Sequence, residues 1–182
     1  VTITSAADVT ADAAFSAASL RQVAGTGTTL FSGALATTAA AGILVDGTNF
    51  NFDSTITSTL GDLDIDAGGT VRFNGAVAMN DAANGLVTIS NGGVLTITAT
   101  GDMSINGNFT QDGAGTVSTA GDITTTNDNI NFLRAVTLTG AVALDTGAGA
   151  GTITFQNTLD GTQTLGLTAG GGNIDFDGIV GG

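Results

Sequence analysis

Carboxylates are the one abundant reactive group in this chain. All 16 acidic residues are Asp, the only basic ones are Arg21, Arg72 and Arg134, and Cys, His, Lys, Glu, Tyr, Trp and Pro are absent from the 182 residues. That inventory excludes a disulfide scaffold, a zinc site, a thiol nucleophile and a serine-histidine triad within this chain. Asp62, Asp64 and Asp66 alternate with Leu63 and Ile65, and Asp175 and Asp177 flank Phe176. On a strand each set projects from one face, with neighbours about 7 Å apart. Calcium takes about six to eight oxygen ligands, so carboxylates spaced in this way hold one ion only with help from neighbouring strands or turn carbonyls. Asp62, Asp64, Asp66, Asp175 and Asp177 are the candidate calcium ligands. The competing reading, a solvated acidic face that opposes aggregation, is the stronger one.

Other chemistry is poorly supplied. Gly170 to Asp177 has the texture of a glycine-aspartate calcium nonapeptide, but Asn173 breaks its glycine spacing. Glycoside hydrolysis needs two carboxylates about 5 to 9.5 Å apart across the scissile bond, one of them with a raised pKa. Alternating Asp on any outward strand produces such pairs by accident, and few other general acids or bases exist here. Catalysis is therefore not expected. Stacking on a sugar face lacks Trp and Tyr, and the Phe residues are assigned to the core. Thr-x-Thr pairs at Thr2, Thr55, Thr96, Thr137, Thr152 and Thr162 raise ice binding as a minor alternative. They fall at different phases relative to the nearby Phe, however, and outward Thr simply suits a strand. Arg72 and Arg134 each sit next to a core Phe or one residue removed, and are expected to bridge Asp on adjacent strands. Asn84, Asn91 and Asn127, at turns, are expected to stack as amide ladders. Asn108-Phe-Thr110 is a formal glycosylation triplet that chance explains.

The elements that would position these groups are short strands. Val87, Ile89, Leu95 and Ile97 alternate with Thr and Ser between Gly and Asn punctuation, the signal of a half-buried strand. Thr2 to Thr4, Thr55 to Thr59, Leu63 to Asp66, Val136 to Thr139 and Thr152 to Phe155 read the same way. Asp12 to Val23 is Ala-rich and helix-compatible, but Val9, Ala11, Ala13, Phe15 and Ala17 also alternate, so a strand is the reading adopted. A motif repeats: a Phe with an apolar residue two before and another four after, at Phe52, Phe73, Phe132, Phe155 and Phe176, with Phe31 a weaker copy. Phe31, Phe52 and Phe73 are evenly spaced, and Phe155 to Phe176 repeats the same interval. The longer gap from Phe73 to Phe132 is close to three such periods with two degenerate copies inside. The period, about 21 residues, suits one coil of three short strands plus turns. The sequence thus predicts an all-β, right-handed parallel β-helix of about 21 residues per coil and roughly eight to nine coils, spanning residues 1–182 as a single solenoid about 40 Å long. The lack of Pro fits strands paired on both sides.

Gly69-Thr-Val-Arg-Phe-Asn-Gly-Ala-Val77, Gly151-Thr-Ile-Thr-Phe155 and Gly172-Asn-Ile-Asp-Phe-Asp-Gly-Ile-Val180 resemble the repeats of large bacterial exoproteins, the filamentous-haemagglutinin-like and autotransporter-passenger-like β-helical adhesins. The likeness runs from about Thr26 to Gly182 and is one of texture. It implies export to the bacterial surface or medium, a parallel β-helix, and adhesive, matrix-forming or scaffolding work. The formal charge of −13 repels nucleic acid and anionic membranes, and no apolar run approaches the roughly 18 residues of a spanning helix. The expected partners are therefore flanking coils of the same chain, further copies stacked end to end, or glycan and protein on neighbouring or host cells. No cofactor is expected beyond the calcium candidates. A calcium- or glycan-binding module is the principal alternative to a structural rod.

Overall fold

The computed structural model describes every residue except Asn84 and Gly182. Among the described residues 25 strands form three parallel sheets of nine, eight and eight strands, and in each sheet every third strand along the chain is a neighbour. This is a β-solenoid of about eight coils with about 21 residues per coil. The helix-compatible segment is strand, as Phe15–Ala17 and Leu20–Gln22. Coil length is not constant. The step from Thr2 to its partner Arg21 is short and that from Val77 to its partner Met103 is long, the slack being taken up at corners.

Alternation explains the cross-section. In Leu63–Ala67 the odd residues are buried and Asp64 and Asp66 point outward. Register then stacks like on like: Ile43, Leu63 and Val87 form one inner column of the first sheet, and Phe50, Val71 and Leu95 one of the second. The corner from the third sheet back to the first turns through a left-handed residue in most coils, with Gly42, Gly61, Gly85, Gly147 and Gly170 at positive φ. Among the described residues Asn127, at φ 65°, is the non-glycine that takes this position; a short polar side chain tolerates it best, and its Oδ1 accepts the Gly149 N–H at 2.6 Å.

The repeated Phe motif belongs to two columns rather than one. Phe31, Phe52 and Phe73 stack in the second sheet, with ring centroids 5.8 and 5.3 Å apart. Phe132, Phe155 and Phe176 stack in the first sheet, at 5.4 Å each. The motif is local: a strand, a short corner and the next strand. That unit occurs at two different corners of the coil, so the Phe73 to Phe132 interval combines a change of sheet with whole coils. Phe31, the weaker copy in sequence, is a full member of its column.

Polar side chains close the corners. Corner N–H groups lie outside the strand ladders and still need acceptors. Asn49, Asn108 and Asn129 supply them from the preceding coil, their Oδ1 atoms accepting the N–H groups of Thr70, Asn129 and Thr152 at 2.9, 2.7 and 2.8 Å. Of the expected amide ladders, Asn84 lies outside the described residues, and Asn127 caps a backbone group instead. Asn91 does ladder: its Oδ1 accepts Gln111 Nε2–H at 2.8 Å within the core. Gln111 Oε1 is buried without a hydrogen-bond partner among the described residues.

Candidate functional site

The Asp residues divide into two groups by what their carboxylates do. About half are structural, their carboxylates accepting hydrogen bonds from the backbone or from Asn74. Asp102 and Asp122 accept the N–H groups of Asp122 and Ala143 in the next coil at 2.9 and 2.7 Å, and Asp145 and Asp160 hold their own turns. Asp62, one of the candidate calcium ligands, belongs here, because its Oδ1 accepts the Leu86 N–H at 2.9 Å.

The second group gathers on the outer face of the first sheet. Asp46 and Asp66 are register partners, about 4.8 Å apart across neighbouring strands. Asp64 lies between Leu44 and Thr88 in the adjacent column, and Arg21 follows beyond Leu44. None of Arg21, Asp46, Asp64 and Asp66 has a side-chain hydrogen bond or ion pair among the described residues. Together they rim a shallow depression of about 190 Å³ with Gln22, Val23, Leu44 and Val45. Partial burial, and then the charges of Asp66, Asp112 and Asp62, raise the Asp64 pKa above its ordinary value. Repulsion and desolvation act in the same direction.

As a metal site the arrangement is poor. Among the described residues no group of three or more Asp is placed to hold an ion. Asp64 and Asp66 sit on a flat sheet at alternate positions, and Asp62 is engaged elsewhere. Asp175 and Asp177 flank the half-exposed Phe176 and point outward; Asp175 stands beside Thr154, which offers a hydroxyl but no carboxylate. The glycine-aspartate stretch is divided between a corner at Gly170 to Asn173 and the strand Ile174–Phe176, so it does not wrap an ion.

The arginines depart from expectation. Arg72 Nε donates to Asn74 Oδ1 at 2.7 Å, and Asn74 Nδ2 donates to Asp53 Oδ1 at 2.5 Å. Arg134 Nε donates to the Gly113 carbonyl at 2.8 Å. Among the described residues neither makes a direct Asp bridge: Arg72 reaches one only through Asn74, and Arg134 caps a corner carbonyl of the coil below. The Thr-x-Thr pairs are spread over all three faces, with Thr154 on the first, Thr96 and Thr137 on the second and Thr57 on the third. No single face carries a threonine array.

Sequence reasoning missed Arg21, Leu44, Asp46 and Asp112 as neighbours of Asp64. The one signal was that Asp46 and Asp66, now register partners, stand close to one coil period apart in the chain. These features define the class as a parallel β-solenoid with small polar outer faces. No family model, curated protein or solved structure matches the chain.

Proposed function

We propose that this chain is a non-enzymatic rod segment of a bacterial surface or secreted protein, one that spans distance and presents flat faces to glycan or protein on other surfaces. The observation that carries the reading is how the side chains are distributed. Large apolar residues fill one continuous core from Leu20 to Leu159. The outward positions are mostly Thr, Ser, Asn, Asp and Ala, and the depressions lie on open faces. A stack of this kind is stiff along its axis, because each interior coil pairs with both neighbours over three sheets. Adhesion by many weak contacts along such a face gains from repetition.

The test is binding of the immobilised chain to cells and to a broad glycan panel, with sugar release followed in parallel. Retention without release supports the reading. Release that disappears on Asp64→Asn or Asp66→Asn would replace it with a hydrolase. Loose calcium binding is the second reading: the carboxylates of Asp46, Asp64 and Asp66 have no partner among the described residues, although they are not grouped to clasp one ion. Titration calorimetry decides it.

A further inference from the structure

Two exposed aliphatic side chains lie within the depression on the outer face of the first sheet. Leu44 is 40% and Val23 39% exposed, and both line it together with Arg21, Asp46, Asp64 and Asp66. Further along this face the outward residues are short and polar, as at Thr88, Ser90, Thr110 and Thr154. The depression therefore sets apolar surface directly beside carboxylates that have no partner among the described residues. That combination suits a side chain with a hydrocarbon stem and a cationic head. Lys and Arg lay their stems along apolar surface and keep the charge at the tip.

Register fixes the spacing. Asp64 and Asp66 alternate on Leu63–Ala67, so their carboxylates project about 7 Å apart along the strand, and an extended peptide presents alternate side chains at the same interval. Leu44 is the register partner of Asp64, and Asp46 of Asp66. Val23 follows Gln22, the partner of Val45, and so lies beside Asp46. One cation reaches Asp64 with its stem over Leu44; the next, two residues on, reaches Asp46 and Asp66 with its stem against Val23.

Other occupants fit less well. The net charge of −13 opposes an anionic partner and a second copy alike. A two-fold axis along the strand Ile43–Gly47, which would set Arg21 over Asp64 of a second copy, also sets Asp46 on Asp46. A sugar ring finds no Trp or Tyr to stack on. We infer that this face docks an extended segment of another protein carrying Lys or Arg at alternate positions, the stems on Leu44 and Val23 and the cations on Asp46, Asp64 and Asp66. This rests on the surface-presenting rod reading above and names the chemistry of the partner. Arg21, on the far side of Leu44 from Asp64, bounds the acidic area and repels a third cation there.

The probe is a fluorescently labelled peptide, Thr-Lys-Thr-Lys-Thr, followed by anisotropy against the whole chain at about 0.1 M salt, where charges act over about 10 Å. Asp46→Asn with Asp66→Asn is expected to weaken binding about five- to tenfold. Asp175→Asn with Asp177→Asn removes equal charge from a strand five places along the same sheet, about 24 Å away, and is expected to leave binding unchanged. Leu44→Ser keeps the charge and is expected to weaken binding about threefold. A peptide of the same composition with its two Lys adjacent is expected to bind less tightly. All the altered side chains point outward, so circular dichroism is expected to stay as in the unaltered chain. No binding of the probe, equal losses from the two Asp pairs, or an unaffected Leu44→Ser variant would overturn the docking. Retention on cells, read in parallel, keeps two failures apart. A chain that retains cells but not the peptide loses the docking alone, and one that binds the peptide but not cells loses the adhesive reading alone.

Discussion

Phe52→Ala is the most direct test of the stacked interior. Phe52 is fully buried, lies between the rings of Phe31 and Phe73 at 5.8 and 5.3 Å, and has Phe50 at 6.4 Å in its own strand. Removing the ring leaves a cavity between coils that are locked by parallel ladders on three sheets, so the walls cannot collapse onto it. Burying a Phe and leaving its site unfilled together cost about 3–5 kcal/mol on substitution by Ala. Phe176 is the internal control. It has one ring partner and is 43% exposed, so Phe176→Ala loses only part of a burial worth about 1.5–3 kcal/mol and makes no enclosed cavity, a cost of about 1 kcal/mol. The difference is measured by urea denaturation with hydrogen exchange read strand by strand, because coupling in a coil stack runs between neighbours and unfolding need not be a single step. Protection is expected to fall most at Thr28–Phe31, Asn49–Phe52 and Val71–Phe73, and least in the coils beyond Phe132. Equal costs for the two substitutions, or a loss spread evenly along the chain, would refute the reasoning.

Three further outcomes follow from the geometry. Burial and neighbouring carboxylates disfavour the charge on Asp64, so its folded pKa lies above the unfolded value near 3.8. The charge costs stability above the folded pKa, and that cost is relieved as pH falls through it, fully so below about 3.8. Asp64→Asn should raise the melting temperature at pH 7 and flatten its rise on mild acidification; an unchanged pH profile would remove the argument. A Cβ on Gly115 would lie 1.6 Å from the Gly93 carbonyl oxygen, whereas one on Gly166 would meet nothing closer than 4.0 Å. Gly115→Ala should therefore destabilise strongly, while Gly166→Ala, within a strand, should stabilise by about 0.5–1 kcal/mol, as equilibrium unfolding will report. Asn49→Ala removes the acceptor for the Thr70 N–H and should cost about 1 kcal/mol, with faster amide exchange at Thr70 as its direct readout.

The strands and their inward faces were legible in the sequence, because alternation at period two is a property of each short segment by itself. So was the solenoid: the absence of Pro, the Gly and Asn punctuation and the regular return of Phe are what a stacked, bilaterally paired coil requires. Register along the axis was not legible. Corners absorb extra residues at no cost to the ladders, so the coil step drifts from the short one at Thr2 to the long one at Val77, and a motif built from strand, corner and strand looks the same at two of the three corners. Only the folded chain could therefore assign Phe52 and Phe155 to different columns, bring Asp46 beside Asp66, or turn Arg72 and Arg134 toward Asn74 and the Gly113 carbonyl. Composition determined the kind of stack, since inside and outside are chosen one residue at a time. Which residues become neighbours across coils depends on the summed lengths of all the corners between them, and that sum takes effect only in the assembled structure.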